Sequence, residues 1–299
     1  MPPEHAHAPP WQQLSVTFTD PGAAEGHLLT HLGPTLLAAE TDDLITAWFF
    51  IRKNPWRVRY LPTDIPSAAQ ATATLHRATH QLRDSGIARC SDTIYEPETH
   101  AFGGPAGMRA AHHLFHADSR NFLAHLAADH TASGGARGEN ANRRELSLLL
   151  CAALMRAAGL DRYEQGDVWA QLAAHRPRNM SATPQRRHGL VAAVQRLTTV
   201  DTAPGTALRD EALAFAHDWL AAFETAGRTL RSLAETGSLT RGIRAVITHH
   251  IIFHWNRLGL AYRTQSALAH AAKEAAFADP RDFPHAELVH TTETRGALA

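Results

Sequence analysis

The chain has 299 residues with 29 basic and 29 acidic side chains, no net charge at pH 7 and a hydrophobic fraction of 44%. This composition is typical of a soluble globular protein, and a neutral chain lacks the basic surface on which bulk nucleic-acid binding depends. Two cysteines are too few for a disulfide framework or a zinc set, and no apolar run reaches the roughly 18 residues of a membrane span. The N-terminal segment has neither the basic nor the apolar region of a signal peptide, which predicts a cytoplasmic protein.

The first hundred residues show strands and helices in alternation. A proline-rich tail at residues 1–10 is expected to be disordered. Alternating or short apolar runs predict four strands, at residues 11–20, 44–53, 56–62 and 87–98. Helical spacing predicts two helices, at residues 22–39 and 66–85. The order β-α-β-β-α-β is that of the split βαβ arrangement, so residues 11–104 are predicted to form a ferredoxin-like sheet.

The remainder of the chain has almost entirely helical patterns. Helices are predicted over residues 107–130, 143–159, 167–176, 206–234 and 241–278. Residues 105–280 are therefore expected to form a helical region packed on the sheet, as one composite domain of the α+β class, with a frayed tail at 281–299.

Two arginines in the third predicted strand are candidates for an anion site. Arg57 and Arg59 are two residues apart, so they point to the same face of a strand, and Arg52 on the neighbouring strand joins them if the register allows. Two guanidiniums on one face repel each other unless an anion lies between them, and arginine is suited to bind a carboxylate or phosphate. The alternative is a pair of surface arginines neutralised by acidic side chains, for which Glu96 and Glu98 are the nearest candidates.

Histidine is abundant, with 21 copies, and two pairs have the i, i+4 spacing of helical zinc ligands. These pairs are His112 with His116 and His250 with His254. Neither pair has the glutamate of H-E-x-x-H or an evident third ligand, so no metal site is expected. Such histidines are more often hydrogen-bonded core residues, and they are also the natural proton-transfer groups near neutral pH.

Asn256 and Arg257 interrupt an apolar run and need partners if they are buried. Asp118 or a glutamate is the expected partner. The sequence contains no G-x-S-x-G, no P-loop and no G-x-G-x-x-G, which disfavours a hydrolase triad, an NTPase and a dinucleotide enzyme.

Five motifs together resemble a known family: WFFIRKNPWRVRY, IYEPETHAFGG, LFHADSR, YEQGDVW and FHWNRLGL. In this order, between about residues 11 and 278, the chain is similar to the stand-alone thiopeptide-type bacteriocin biosynthesis proteins, which are relatives of the C-terminal domain of lantibiotic dehydratases. In the fused dehydratases, an N-terminal region transfers glutamate from glutamyl-tRNA to Ser or Thr of a precursor peptide. The C-terminal domain then eliminates that glutamate to leave dehydroalanine or dehydrobutyrine.

The resemblance implies that this chain performs the elimination step as a lyase without a cofactor. Its implied partners are a precursor peptide, with leader and core, and a separate glutamylating dehydratase subunit that uses glutamyl-tRNA; neither direct nucleic-acid binding nor a membrane is implied. Arg57 and Arg59 match the paired arginines that hold the leaving glutamate, and His250 and His254 are the candidate proton-transfer groups. The expected substrate-binding residues are Arg52, Glu96, Glu98, His100, His116, Asn256 and Arg257.

Two positions depart from the fused dehydratases. Ala101 stands where they have an arginine that contacts the glutamate, and Ile252 stands where they have the catalytic histidine, between His250 and His254. Related stand-alone proteins instead catalyse a [4+2] cycloaddition of two dehydroalanines that forms the pyridine of thiopeptides. A third alternative is a non-catalytic subunit whose sheet edge binds the leader peptide by strand addition. The retained Arg57 and Arg59 favour elimination.

Overall fold

The computed structural model describes residues 10–82, 86–132, 142–177 and 184–278. The tail expected to be disordered, residues 1–10, and the tail expected to be frayed, residues 281–299, lie outside this part of the chain except for Pro10. Within it, four strands form one sheet: β1 (Gln12–Phe18), β2 (Ile45–Ile51), β3 (Trp56–Pro62) and β4 (Ile87–Thr93). The fourth strand ends earlier than the sequence predicts, and residues 94–104 form a loop.

The four strands have the order β2-β3-β1-β4, and every neighbouring pair is antiparallel. Helical segments follow β1 and β3, so the predicted β-α-β-β-α-β order is present. The segment after β1 comprises α1 (Ala24–His27), a π-helical turn (Leu28–Leu32) and α2 (Gly33–Thr41), which follow a 3-10 turn (Pro21–Ala23). The segment after β3 is α3 (Ile65–Gln81), whose first turn is capped by the Asp64 carboxylate. The structure thus has the α+β class and a four-stranded antiparallel sheet, and the ferredoxin-like name stays a prediction.

Seven further helices make up most of the rest of the described chain. Their bounds are α4 (Pro105–Ala132), α5 (Arg143–Ala157), α6 (Arg162–His175), α7 (Pro184–Thr199), α8 (His217–Glu235), α9 (Ile243–Leu258) and α10 (Tyr262–Phe277). Helix α7 was not expected from the sequence. The single segment 241–278 is divided into α9 and α10 at Gly259, whose φ of 70° ends a helix readily because glycine has no Cβ.

The two faces of the sheet meet different surroundings. Leu14, Val16, Val58 and Tyr60 on one face belong to a large apolar core that extends to Ala275 in α10, so sheet and helices share it. The opposite face carries Arg57 and Arg59 and borders a second, smaller apolar cluster, formed by Phe49, Ile51, Phe102, Met108, Ala111, Phe115 and Phe253. No helix in the described part of the chain has the length and apolar character needed to cross a bilayer.

Candidate functional site

Arg57 and Arg59 lie on the same face of β3, as the strand spacing predicts. In the antiparallel register, Arg57 is opposite Ser15 and Arg59 is opposite Gln13 of β1. On the other side of β3, Arg59 is opposite Phe49 of β2. We call Arg57 and Arg59 the clamp, and the sheet surface that carries them the clamp face.

The Arg59 guanidinium is buried, with only 2% of the residue exposed, and yet it is incompletely paired. Its Nε donates to Gln13 Oε1 at 2.7 Å, and the guanidinium carbon lies 4.1 Å from the centre of the Tyr95 ring and 5.3 Å from that of Phe49. One terminal nitrogen is 4.0 Å from Glu98 Oε2, too far for a hydrogen bond, and neither atom has another partner among the described residues. Burial lowers the Arg59 pKa, which the charges of Tyr95 and Glu98 partly offset. A buried cation thus retains a free donor.

Arg57 is half-buried on the same face. The Arg57 side chain makes no hydrogen bond or ion pair with any residue that the structure describes. The positive charge of Arg57 also contributes to the lowered pKa of Arg59. Two neighbouring cations with free donors on one partly covered face form an arrangement that a bound anion would stabilise, because it would satisfy both the charges and the donors.

The loop over residues 94–104 borders the clamp face. Glu98 is half-buried and is the carboxylate that approaches Arg59, whereas Glu96 and His100 are exposed. The loop ends at Gly103 and Gly104, whose φ angles of 81° and 94° favour glycine. The carbonyl of Gly103 accepts a 2.9 Å hydrogen bond from the backbone of Thr240, so the loop is tied to the segment before α9.

A tyrosine–histidine pair that the sequence did not indicate lies beside the clamp. Tyr95 Oη is 2.8 Å from His112 Nε2, and the His112 ring packs 4.5 Å from that of Trp11. Burial, followed by the charge of Arg59, lowers the pKa of His112 to about 4, and burial raises the pKa of Tyr95. Both groups are therefore neutral near pH 7. Their separation by 17 positions leaves no local signal of this contact.

His250 and His254, the predicted proton-transfer residues, are both buried in α9, at 2% and 1% exposure. The His250 ring packs edge-on against Phe102 at 4.9 Å, and neither of its nitrogens has a hydrogen-bond partner in the described chain. Burial, with smaller contributions from His249 and Arg257, lowers the pKa of His250 to about 3. Their proton-transfer role stays a prediction, since direct contact with a substrate requires an opening toward these rings.

Asp118 connects three helices through a buried network. It accepts hydrogen bonds from His254 Nδ1 at 2.9 Å, from Trp219 Nε1 at 2.7 Å and from Arg257. The guanidinium carbon of Arg257 also lies 5.0 Å from the centre of the Phe115 ring. Asp118 is thus the partner that the sequence suggested for Arg257, and this network ties α4, α8 and α9 together.

Arg52 does not join the clamp, although the sequence allowed it. Its side chain packs 5.0 Å from the ring of Trp56, on the opposite face of the sheet. There Glu25 binds both Arg52 and Arg143, and each arginine also donates to the carbonyl of Leu258.

The alternation of side chains along a strand explains why Arg52 is separated from the clamp. Arg52 points in the direction of Phe50 rather than in that of Ile51.

Asn256 lies with Arg52 rather than with the clamp. Both residues line a pocket of about 260 Å³ together with Lys53 and Asn54. The Asn256 side-chain oxygen accepts a 3.2 Å hydrogen bond from Gln265. The predicted substrate-binding residues are therefore divided between two faces of the sheet.

His116 covers the outer edge of β2 instead of forming a metal pair with His112. Its Nδ1 is 3.1 Å from the Trp48 amide nitrogen and 2.9 Å from the Trp48 carbonyl oxygen, while Nε2 is 3.3 Å from Glu40. The described residues contain no group of three or more His, Cys, Asp or Glu side chains able to hold a metal ion.

An arginine from another segment reaches Ala101. Arg241 donates to the carbonyl of Ala101 at 3.3 Å and lies 3.5 Å from His249 Nδ1. Both side chains are partly exposed, and Ile252 lies one turn further along α9. No sequence pattern singled out Arg241 or His249, because their proximity to Ala101 depends on how α9 packs against the loop.

Three solved structures have the same fold as this chain. TsrL is 16% identical to this chain, with a TM-score of 0.60. The match covers 92% of this chain and 98% of TsrL. The pyridine synthase TbtD from thiomuracin biosynthesis is 14% identical, with a TM-score of 0.62. The match covers 89% of this chain and 97% of TbtD. The tRNA-dependent lantibiotic dehydratase MibB from Microbispora sp. 107891 is 19% identical with a TM-score of 0.54, covering 91% of this chain; this chain spans only 28% of MibB.

The sequence comparison with protein families agrees with these folds. No curated protein matches the sequence. The family model described as "Lantibiotic biosynthesis dehydratase C-term" matches residues 11–276, which include the whole sheet, the clamp and helices α4 to α9. The family's place is in the biosynthesis of ribosomally made, modified peptides. The chain belongs to the lantibiotic dehydratase C-terminal family.

Proposed function

We propose that the clamp binds a glutamate carboxylate and that the chain eliminates glutamate from glutamylated Ser or Thr of a precursor peptide. The observation that carries this proposal is the pair of neighbouring guanidiniums with free donors: Arg57 has no partner among the described residues, and one Arg59 nitrogen is unpaired in the interior. Membership of the lantibiotic dehydratase C-terminal family supports this reaction class.

The elimination places charge where the clamp can stabilise it. A base removes the proton from Cα, the electrons of that bond form the Cα–Cβ double bond, and the Cβ–O bond breaks with its electrons on the departing glutamate carboxylate. Cations aimed at this carboxylate stabilise the transition state more than the neutral ester, which is the condition for catalysis. The apolar cluster around Phe49 and Phe115 lowers the local dielectric and strengthens this interaction.

The proton acceptor must lie within reach of the clamp. His112 meets this condition best, because its low pKa keeps the imidazole neutral and because Tyr95, its hydrogen-bond partner, contacts the Arg59 guanidinium. His250 and His254 remain the acceptors suggested by the sequence, and Arg241 with His249 are the groups nearest to Ala101. No cofactor has a role in this scheme.

The partners in this proposal are a precursor peptide and a separate glutamylating dehydratase subunit. The proposal assigns glutamylation to that subunit because the family model that this chain matches is the C-terminal one. The strand order and the helical segments after β1 and β3 support the name ferredoxin-like for the sheet. We place the reaction in the cytoplasm, where glutamyl-tRNA and the precursor peptide are made.

Pyridine formation by [4+2] cycloaddition is the second candidate function. The observation that favours it is the fold shared with the pyridine synthase TbtD, at a TM-score of 0.62. Ala101 and Ile252, which replace an arginine and a histidine of the fused dehydratases, also fit a different reaction. A cycloaddition enzyme needs no glutamate clamp, so the retained Arg57 and Arg59 favour elimination over cycloaddition.

The direct test is incubation of the protein with a glutamylated precursor peptide and, separately, with a peptide that carries two dehydroalanines. Mass spectrometry should show loss of glutamate in the first incubation. Arg57→Ala and Arg59→Ala should each slow that loss by about 10² to 10³, because they remove charge-stabilising donors. Arg228→Ala, in an exposed position on α8, is the matched control and should leave the rate unchanged.

The outcomes separate the candidate functions. Cyclisation of the second peptide with no change in the first would replace elimination by cycloaddition. If the protein binds either peptide but converts neither, the remaining candidate function is that of a non-catalytic, peptide-binding subunit. Thermal unfolding of each variant excludes misfolding as the cause of a lost rate, which matters most for the buried Arg59.

A further inference from the structure

The two outer strands of the sheet differ in how their edges are covered. Strand β2 is closed by α4: His116 Nδ1 lies within 3.1 Å of the amide nitrogen and carbonyl oxygen of Trp48, and Phe50 donates to Ser119 Oγ at 3.4 Å. His116 satisfies one of the two Trp48 groups, according to its tautomer, and Ser119 accepts from the Phe50 amide, so both side chains occupy the place of an added strand. Strand addition at β2 is therefore blocked.

Strand β4 has no such cover in the described chain, where it pairs with β1 alone. Its residues Arg89, Asp92 and Thr93 are exposed, and Ile94, directly after the strand, is 87% exposed. A free strand edge presents alternate N–H and C=O groups to which an extended chain can bind. Within the part of the chain that the structure describes, the β4 edge is thus the open edge of this sheet.

The clamp face beside β4 is polar and cationic. In register across β1 and β4, its positions are Gln13 opposite Thr93, Ser15 opposite Ser91, and Thr17 opposite Arg89. None of these side chains is acidic, and Arg57 lies on the next strand, opposite Ser15. The carboxylate of Asp92 belongs to the other face, where it contacts His76 at 3.0 Å. Glu98 borders this face but approaches Arg59, whereas Arg57 and Arg89 have no acidic partner among the described residues. Hydroxyl groups and such arginines are complementary to acidic side chains.

We propose that the β4 edge is the docking site for an extended acidic segment of the substrate peptide, which adds to the sheet as a fifth strand. The acidic side chains of that strand lie on the clamp-face side, beside Arg89. The proposal rests on the proposed function only in taking the substrate to be a peptide.

The sheet geometry sets a minimum separation, along the peptide, between the docked segment and the residue that reacts at the clamp. An added strand lies three inter-strand distances from β3, or about 14 Å, which an extended chain crosses in about five residues. A residue that reaches the clamp must therefore be separated from the docked segment by at least about five residues. Peptides with shorter separations should bind but not react.

Hydrogen exchange of the β4 amides tests docking without any chemistry. The probe is a short synthetic peptide of alternating glutamate and threonine with blocked ends. At millimolar concentration it should slow exchange at β4 by about tenfold, while β2 is unaffected. Two matched probes serve as controls: one has lysine in place of glutamate, and one is N-methylated at every second residue, which removes the backbone donors along one side.

Arg89→Glu should abolish the protection by the acidic probe, whereas Arg228→Glu, on the exposed side of α8, should leave it unchanged. Equal protection by the lysine or N-methylated probe would overturn the proposal. So would outward-facing β4 amides, those not bonded to β1, that are already protected in the free protein, whether by a second copy seen in sedimentation or by the protein's own chain. If β4 is protected and glutamate is not eliminated, only the proposed function fails; if glutamate is eliminated and β4 is unprotected, only the docking site fails.

Discussion

At the residue scale, the assignment of the proton acceptor depends on which histidine meets the clamp. The His112 pKa of about 4 keeps the imidazole unprotonated through the neutral range. We expect the elimination rate to remain level as the pH falls from 8 and to decline only near pH 4, rather than near the ordinary value of 6.5. His112→Gln and Tyr95→Phe should lower the rate by about 10² to 10⁴, the usual contribution of general acid–base groups.

His113→Gln is the matched control for these variants, because His113 is the exposed neighbour of His112 on α4. The measurement is the pH profile of kcat/KM with a glutamylated peptide. A decline centred near pH 6.5, together with full activity in His112→Gln, would assign proton transfer to another group. His250→Phe and His254→Gln should then be measured in the same way.

At the element scale, Asp118 holds α4, α8 and α9 together through three buried partners. Asp118→Asn keeps the shape of the side chain but leaves Arg257 without a counter-charge in the interior. Removing one member of a buried ion pair typically costs about 3 to 5 kcal/mol. Urea denaturation should show a loss of this size in the free energy of unfolding.

The double variant Asp118→Asn with Arg257→Met provides the control for this prediction. It removes the stranded charge, so it should be more stable than Asp118→Asn alone. If the single variant loses less than about 1 kcal/mol, the net contribution of the network is small, as for an exposed ion pair.

At the scale of the whole molecule, Glu25 connects four distant segments. It lies in α1 and binds Arg52 after β2 and Arg143 at the start of α5, and both arginines reach the Leu258 carbonyl at the end of α9. Burial alone would raise the Glu25 pKa, but Arg143 and Arg52 together lower it from 4.5 to about 2. The folded pKa lies below the unfolded value, so this stabilisation is complete above pH 4.5 and is lost as the pH falls toward 2.

Glu25→Gln should destabilise the protein above pH 4.5, and the difference from the unmodified chain should shrink between pH 4.5 and 2. Unfolding midpoints measured across this range test the prediction. Glu211→Gln, at an exposed position, should show no comparable change. A difference that grows toward low pH would contradict the lowered pKa of Glu25.

Local periodicity was sufficient for the strands, for most helices and for the common face of Arg57 and Arg59, because a strand alternates its side chains regardless of its neighbours. It was not sufficient for α7, where the apolar spacing is weak, or for the division of residues 206–234 into short turns and α8. The motifs WFFIRKNPWRVRY and FHWNRLGL carried the family resemblance, which the family match over residues 11–276 confirms.

Tertiary packing alone decided which side chains meet at the site. Arg257 and Asp118 are 139 positions apart, and the sequence named this pairing only as one of several possibilities. The contact between Tyr95 and His112, the approach of Arg241 to Ala101 and the cover of the β2 edge by His116 had no local signal. Arg52 was separated from Arg57 by the register of two strands, because side chains in register share a face whereas those one residue out of register lie on opposite faces.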